Sequence, residues 1–171
     1  MGTTGSELDD EMLREFLRRQ REAVLTIVAG LSEEDWHRSV VATGWTPAGM
    51  VEHLGGAEWH WFQGVVAGAQ PERPADAADD EPAYDFDSVV FATDESSEEV
   101  LRFYREQCAQ SEAVLDATSL SAAPLGTHGF GTEPPNVRWC VLHMIEETAR
   151  HAGHLDIARE QLDGAVRLGR R

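Results

Sequence analysis

The chain has 171 residues, which is enough for a single domain with a full hydrophobic core, and we expect residues 1–171 to form one domain with residues 1–5 flexible. A net charge of -17 argues against binding to a nucleic acid backbone. The apolar runs are too short and too often broken by polar residues to cross a membrane. No signal peptide is recognisable at the amino terminus, and two cysteines are expected as free thiols, so we expect a cytoplasmic protein.

The first predicted helix begins at Ser6, whose hydroxyl caps it with Asp9 as the reciprocal partner, and it ends near Ala29 before Gly30. Four arginines of this helix are expected on its outer side: Arg14, Arg18, Arg19 and Arg21. A short helical turn is predicted at Ser32, where the same capping pattern recurs.

The second long helix has a clear start, because Thr46 is a good N-cap and Pro47 suits the first helical position. Its apolar stripe consists of Met50, Leu54, Trp61 and Val65, and His53 lies at the edge of that stripe. The neighbouring aromatic residues 59, 61 and 62 cannot all face one core, since adjacent helical positions point in different directions. We therefore expect a homodimer that buries part of this surface, the alternative being that the following loop covers it.

Two further helices follow, separated by loops rich in glycine and proline. The loop 68–94 is expected to be a long crossover ordered around Tyr84 and Phe86. Ser96 with Glu99 predicts a capping box for a helix that ends near residue 117, and Asn136 caps a last helix that ends at 163, before a glycine. No strand-like alternation persists, so the sequence predicts an all-α fold, a four-helix bundle with a long crossover.

The last predicted helix carries four ionisable side chains on one flank of its apolar stripe: His143, Glu147, His151 and His154. Residues four apart lie one above the other on a helix, so Glu147 and His151 can bind one ion together. His53 on a second helix would complete a set of three ligands with open positions, as in catalytic metal sites. Spacing alone favours this metal site no more than a solvated polar edge.

The remaining histidines, His37, His60 and His128, are expected to be satisfied locally or to face solvent. Two imidazoles with one carboxylate suit Zn²⁺, while Ni²⁺ and Fe²⁺ are also compatible with this set. A metalloprotease of the His-Glu-x-x-His type is not indicated, because the chain lacks that order of residues.

Two segments resemble the DinB/YfiT superfamily. They are Gly44-Trp-Thr-Pro-Ala-Gly-Met-Val-Glu-His53-Leu and Trp139-Cys-Val-Leu-His-Met-Ile-Glu-Glu147-Thr-Ala-Arg-His151-Ala-Gly-His154. The resemblance is strongest to the actinobacterial branch related to mycothiol-dependent maleylpyruvate isomerase. It covers essentially the whole chain, and Glu147 stands where many superfamily members have a histidine, as it does in the isomerase branch.

The resemblance implies a DinB/YfiT-like bundle in which His53, Glu147 and His151 bind a divalent metal and His154 lies on the substrate side or behind the ligands. It also implies a low-molecular-weight thiol, similar to mycothiol, as cosubstrate and an electrophilic small molecule as its partner, in a detoxifying reaction. The isomerase has a further C-terminal domain that these residues do not include, so S-transfer is expected rather than isomerisation. The alternative is a non-catalytic module, structural or binding a small ligand, in which His154 or His143 closes the metal shell.

Overall fold

The computed structural model describes residues 5–69, 91–129 and 131–167, and for residues 5–7 only the backbone. Over these ranges the chain is all-helical, without strands. Its helices are α1 (Gly5–Val28), the single turn α2 (Glu33–Trp36), α3 (Pro47–Glu58), a π-helix (Trp59–Val66), α4 (Ser97–Ala117) and α5 (Val137–Asp163). None of these helices combines the length and the apolar character that a membrane span requires.

Local side-chain chemistry explains most of the helix boundaries. Ser32, Thr46, Ser96 and Asn136 all accept a hydrogen bond from a backbone N–H of the first turn, as the sequence predicts. Gly164 ends α5 with a positive φ of 75°, a conformation that costs glycine nothing. At the amino terminus the helix is already formed at Gly5, so Ser6 lies inside it rather than at its cap.

Some of the sequence predictions fall outside the described residues. This holds for the flexibility expected of residues 1–4, although Gly5 is helical. It holds equally for the packing expected around Tyr84 and Phe86 in the crossover loop.

The helices pack in pairs, α1 against α5 and α3 against α4, and α3 also contacts α5. Their buried side chains form two clusters. One contains Met50, Leu54 and Leu155, and the other contains Trp61, Phe62 and Met144. Along α5, Met144 belongs to one cluster and Ala152 to the other, so Glu147 and His151 lie where the two clusters meet.

The π-helix is a feature that the sequence pattern did not predict. It continues directly from α3, and its last turn closes with a bond from Ala67 N–H to the carbonyl of Phe62, 2.9 Å long. Such wide turns are rare and are often found at functional sites. The carbonyls of Val65 and Val66 accept hydrogen bonds from Gly126 and Leu125, at 2.9 and 3.2 Å, which fixes the loop before α5 against this end of the π-helix.

Two expectations about the surface need correction or qualification. Arg21 is not on the outer side of α1; it is buried, with 6% of its surface exposed, in an ion pair with Glu58. Trp61 and Phe62 are both buried within the chain, so they do not supply the exposed aromatic surface from which a dimer was inferred. The homodimer itself stays a prediction.

Candidate metal site and its surroundings

Three side chains with metal-binding atoms converge between α3 and α5. Their ligand atoms, one each from His53, Glu147 and His151, all lie within 4.8 Å of one another. His53 Nε2 is 3.1 Å and His151 Nε2 is 3.0 Å from the same oxygen, Glu147 Oε1. Among the described residues this is the one group of three or more such side chains with this proximity.

The donor set fits a divalent ion of the size of Zn²⁺. Ligands placed tetrahedrally at 2.0–2.1 Å from zinc are roughly 3.3 Å apart, close to the separations of the two nitrogens from the shared oxygen. Two imidazoles and one carboxylate also match the ligand types that zinc prefers. The geometry therefore suits the metal that the residue types indicate, and the role of these side chains as ligands stays a prediction.

Both oxygens of Glu147 have partners. Hydrogen bonds from His151 and then from His53 lower the pKa of this carboxyl below its ordinary value. The second oxygen, Oε2, lies 3.5 Å from Nη1 of Arg150. The carboxylate is consequently held as an anion, which is the form that coordinates a metal.

Phe91 packs directly on the site and was missed by the sequence analysis. Its ring stacks on His53 with a centroid separation of 4.2 Å. Its backbone crosses the start of α3 so closely that a Cβ on Gly49 would meet the Phe91 carbonyl carbon at 2.1 Å. Thr46 N–H donates to that carbonyl at 2.9 Å. The glycine at position 49 was the one available signal, since it permits another backbone to approach the helix.

His154 lies behind the three converging side chains and not among them. Its Nδ1 is 3.3 Å from Nδ1 of His151, on the side of that ring opposite to Glu147. Burial, and then the neighbouring His151, lower the pKa of His154. A partner at the second ring nitrogen commonly fixes the orientation of a metal-binding histidine. The role of His154, on the substrate side or behind the ligands, stays a prediction.

His143 points elsewhere, toward aromatic rings. Its ring centroid lies 4.4 Å from that of Trp61. It also stacks on Trp139, with an angle of 2° between the two ring planes. Thus neither His143 nor His154 joins the group of three side chains. A closed four-ligand site would need one of them as its fourth member.

The other histidines have local roles in the described structure. His37 Nδ1 lies 3.1 Å from the carbonyl of Thr93, and His128, which is buried, has Nε2 3.2 Å from the carbonyl of Thr132. His60 packs edge-on against Trp61, with ring centroids 5.3 Å apart. The contacts of His37 and His128 agree with the expectation that these histidines are satisfied locally.

The two cysteines are free thiols, as expected, and both are poor nucleophiles. Burial and the nearby Glu58 carboxylate raise the pKa of Cys108 to about 12, and burial raises that of Cys140 to about 11. Since the thiolate is the reactive form of a cysteine, neither side chain is suited to attack an electrophile at neutral pH. A thiol reaction at this site would need a thiol from outside the chain.

Comparison with known families identifies the chain. The model of the mycothiol-S-transferase family, MST, matches residues 12–164. This chain belongs to the mycothiol-S-transferase family. The matched range includes every member of the candidate site, and the family is consistent with the DinB/YfiT-like resemblance in the sequence. Among curated proteins, none matches the chain.

Proposed function

We propose that the chain is a metal-dependent S-transferase that joins the sulfur of mycothiol, or a similar small thiol, to an electrophilic carbon. The proposal is supported by the family to which the chain belongs. The observation that carries the metal dependence is the convergence of His53 Nε2 and His151 Nε2 on one oxygen of Glu147. We further propose a detoxifying role in the cytoplasm, with zinc as the metal and nickel or iron as alternatives.

The proposal includes the arrangement of the chain. The pairing of α1 with α5 and of α3 with α4 supports a four-helix bundle of the DinB/YfiT type, built as a single domain with a long crossover before α4. In such a bundle the two site-bearing helices face one another, and the carboxylate and one imidazole come from α5 while the second imidazole comes from α3.

The side chains of the site would divide the work as follows. His53, Glu147 and His151 would hold the ion, whose positive charge would lower the pKa of a bound thiol. Phe91 covers one face of His53 and keeps water from that side. Arg150 holds the second oxygen of Glu147 and His154 holds the outer nitrogen of His151, so both ligands keep their orientation.

The reaction is a nucleophilic substitution. The thiol loses its proton to water, and its sulfur forms a bond to the electrophilic carbon. The bond from that carbon to its leaving group breaks, and the leaving group departs with the bonding electron pair. Neither oxidant nor reductant is required, and the chain's own cysteines stay protonated throughout.

The proposal is tested by measuring the metal content of purified protein and then its thiol transfer. We expect about one equivalent of divalent metal in the unaltered protein and almost none in His53→Ala, because two remaining ligands bind weakly. The His37→Ala variant is the matched control, since His37 contacts Thr93 and Glu33 away from the site. Retention of metal by His53→Ala would contradict the proposed ligand set. Absence of transfer with mycothiol, bacillithiol and glutathione to several electrophiles would contradict the enzyme.

A further inference from the structure

A row of flat side chains leads away from the candidate metal site along α5. Trp139, His143 and Glu147 follow one another at intervals of four residues, so they lie on one face of the helix. The planes of Trp139 and His143 are 2° apart, with ring centroids separated by 5.4 Å. At a rise of 1.5 Å per residue, His143 lies about 6 Å and Trp139 about 12 Å from Glu147 along the helix axis.

The opposite wall of this row comes from the π-helix. Trp61 lies 4.4 Å from His143 and 5.6 Å from Trp139, measured between ring centroids. His128 packs against Trp61 at 5.4 Å, so the loop before α5 supports this ring. Between His53 and Trp61 on the same side lies Ala57, which is partly buried and packs against the cluster that contains Trp61. The rings are thus held in place by three separate parts of the chain.

The exposure of the three rings to solvent increases from Trp61 through His143 to Trp139. Trp61 is buried, His143 is half-buried and Trp139 keeps 38% of its surface exposed. An indole held by neighbouring rings and still open to solvent is a ready surface for another flat ring, because aromatic rings attract one another in offset stacks. A ligand stacked there would extend from Trp139 toward Glu147.

The charges around the row disfavour an anionic ligand. Burial lowers the pKa of His143, so its ring is neutral at pH 7. The nearest arginines on α5 are already paired, Arg138 with Asp10 and Arg150 with Glu146 and Glu147. The whole chain carries a net charge of -17, which repels anions further.

We propose that Trp139 and His143, supported from behind by the buried ring of Trp61, form the binding surface for the electrophile, and that this surface selects planar, uncharged aromatic compounds. The inference rests on the proposed function, because it places the reacting carbon of such a compound beside the thiol at His53, Glu147 and His151. For an aryl or benzyl halide, the thiol sulfur bonds to the carbon, the halide leaves with the electron pair, and the thiol proton passes to water.

Binding is tested first, without any reaction, using 1,3-dinitrobenzene as an unreactive probe that quenches tryptophan fluorescence. We expect saturable quenching in the unaltered protein and an apparent Kd about tenfold higher in Trp139→Ala, while Trp139→Phe recovers most of the affinity. The control is Ile157→Ala, which removes an exposed apolar side chain 18 residues further along α5 and should leave the Kd unchanged. Equal affinity in Trp139→Ala and the unaltered protein would overturn the inference.

The kinetic test uses mycothiol with three electrophiles. With 1-chloro-2,4-dinitrobenzene, Trp139→Ala should raise the KM about tenfold and leave kcat within twofold. With iodoacetamide, which has no ring, the same variant should react as the unaltered protein does. The anion 4-chloro-3,5-dinitrobenzoate should be a poorer substrate than the uncharged 1-chloro-2,4-dinitrobenzene. An equal loss with iodoacetamide and with the aromatic substrate would overturn the inference, since Trp139 would then act on the site as a whole.

The two proposals can fail separately. Saturable probe binding that depends on Trp139, without thiol transfer to any of the three electrophiles, would contradict the S-transferase and support the aromatic surface. Transfer to iodoacetamide together with probe binding that ignores Trp139 would support the S-transferase and refute the aromatic surface.

Discussion

Two carboxylates on the site-bearing helices, one buried and one partly exposed, hold their charge in opposite ways. Glu58, fully buried at the end of α3, has both oxygens bound by a single guanidinium: Arg21 Nε and Nη2 each lie 2.8 Å from one oxygen. Glu147 on α5 instead receives two separate imidazole nitrogens on one oxygen. A bidentate pair satisfies both of its members, whereas two imidazole nitrogens and a carboxylate oxygen that converge have the atoms needed to bind a cation.

Arg21 and Glu58 have further contacts within the protein. Arg21 also contacts Glu112, and although burial opposes its charge, the Glu58 carboxylate raises the pKa of Arg21 above its ordinary value. Ser111 Oγ donates to the backbone carbonyl of Glu58 at 3.4 Å, which ties α4 to the junction of α3 and the π-helix. The Arg21–Glu58 pair is therefore a closed structural contact, and the difference predicts that the two regions respond to different assays.

The largest effect is expected from breaking the closed pair. Arg21→Ala should lower the free energy of unfolding by about 3–5 kcal/mol, because it leaves the buried Glu58 without its counterion. Urea denaturation of the metal-free protein measures this effect. Arg19→Ala is the control, since Arg19 pairs only at the surface, and it should change the stability by less than about 0.5 kcal/mol.

A double variant distinguishes the effect of removing the whole Arg21–Glu58 ion pair from the effect of leaving Glu58 without its counterion. Arg21→Met with Glu58→Leu should recover most of the stability, because a buried ion pair contributes little beyond what apolar side chains of similar volume provide. A double variant as unstable as Arg21→Ala would contradict this interpretation of the pair.

Glu147→Gln should leave the fold nearly unchanged and act on metal binding instead. The amide keeps the size of the side chain but removes the negative charge, so we expect the affinity for Zn²⁺ to fall at least about 100-fold. Competition with a chelating dye measures the affinity. Glu146→Gln, at the adjacent and exposed position, is the matched control and should bind zinc as before. Equal affinities of the two variants would show that Glu147 is not a ligand.

Among the single variants Arg21→Ala, Glu147→Gln and His154→Ala, the last should have the smallest effect. We expect metal content to be retained and turnover to fall about tenfold, because the variant loses only the contact at the outer nitrogen of His151. Metal analysis and initial rates on the same preparation give both quantities, with Ile157→Ala as an exposed control on α5. Loss of both the metal and the activity in His154→Ala would indicate that His154 is a ligand and would favour the non-catalytic module.

The sequence predicted those features that depend on neighbouring residues. Thr46, Ser96 and Asn136 cap their own helices, and the capping hydrogen bond spans only three residues, so the pattern is visible in the sequence. The spacing of Glu147 and His151 is likewise local, and His53 entered through its place beside an apolar stripe. These side chains do meet, which the sequence alone could only suggest.

Features that depend on distant contacts were missed. Arg21 was expected on the outer side of its helix with three other arginines, and the partner that buries it is 37 residues away. The π-helix has an aromatic pattern that fits an ordinary helix equally well, so its wider turns left no signal. Phe91 reaches His53 only because the chain crosses Gly49, and no pattern within either segment specifies that crossing.

The low reactivity of the two cysteines has a consequence for the resistance of the protein to alkylation. A protein that gathers reactive electrophiles exposes its own nucleophiles to them, and an accessible thiolate would be alkylated in place of the cosubstrate. Cys108 and Cys140 avoid this because both thiols remain protonated at neutral pH, and Cys140 is also buried. In the proposed reaction the modified sulfur would leave with the product, and the protein would emerge chemically unaltered, ready for another turnover.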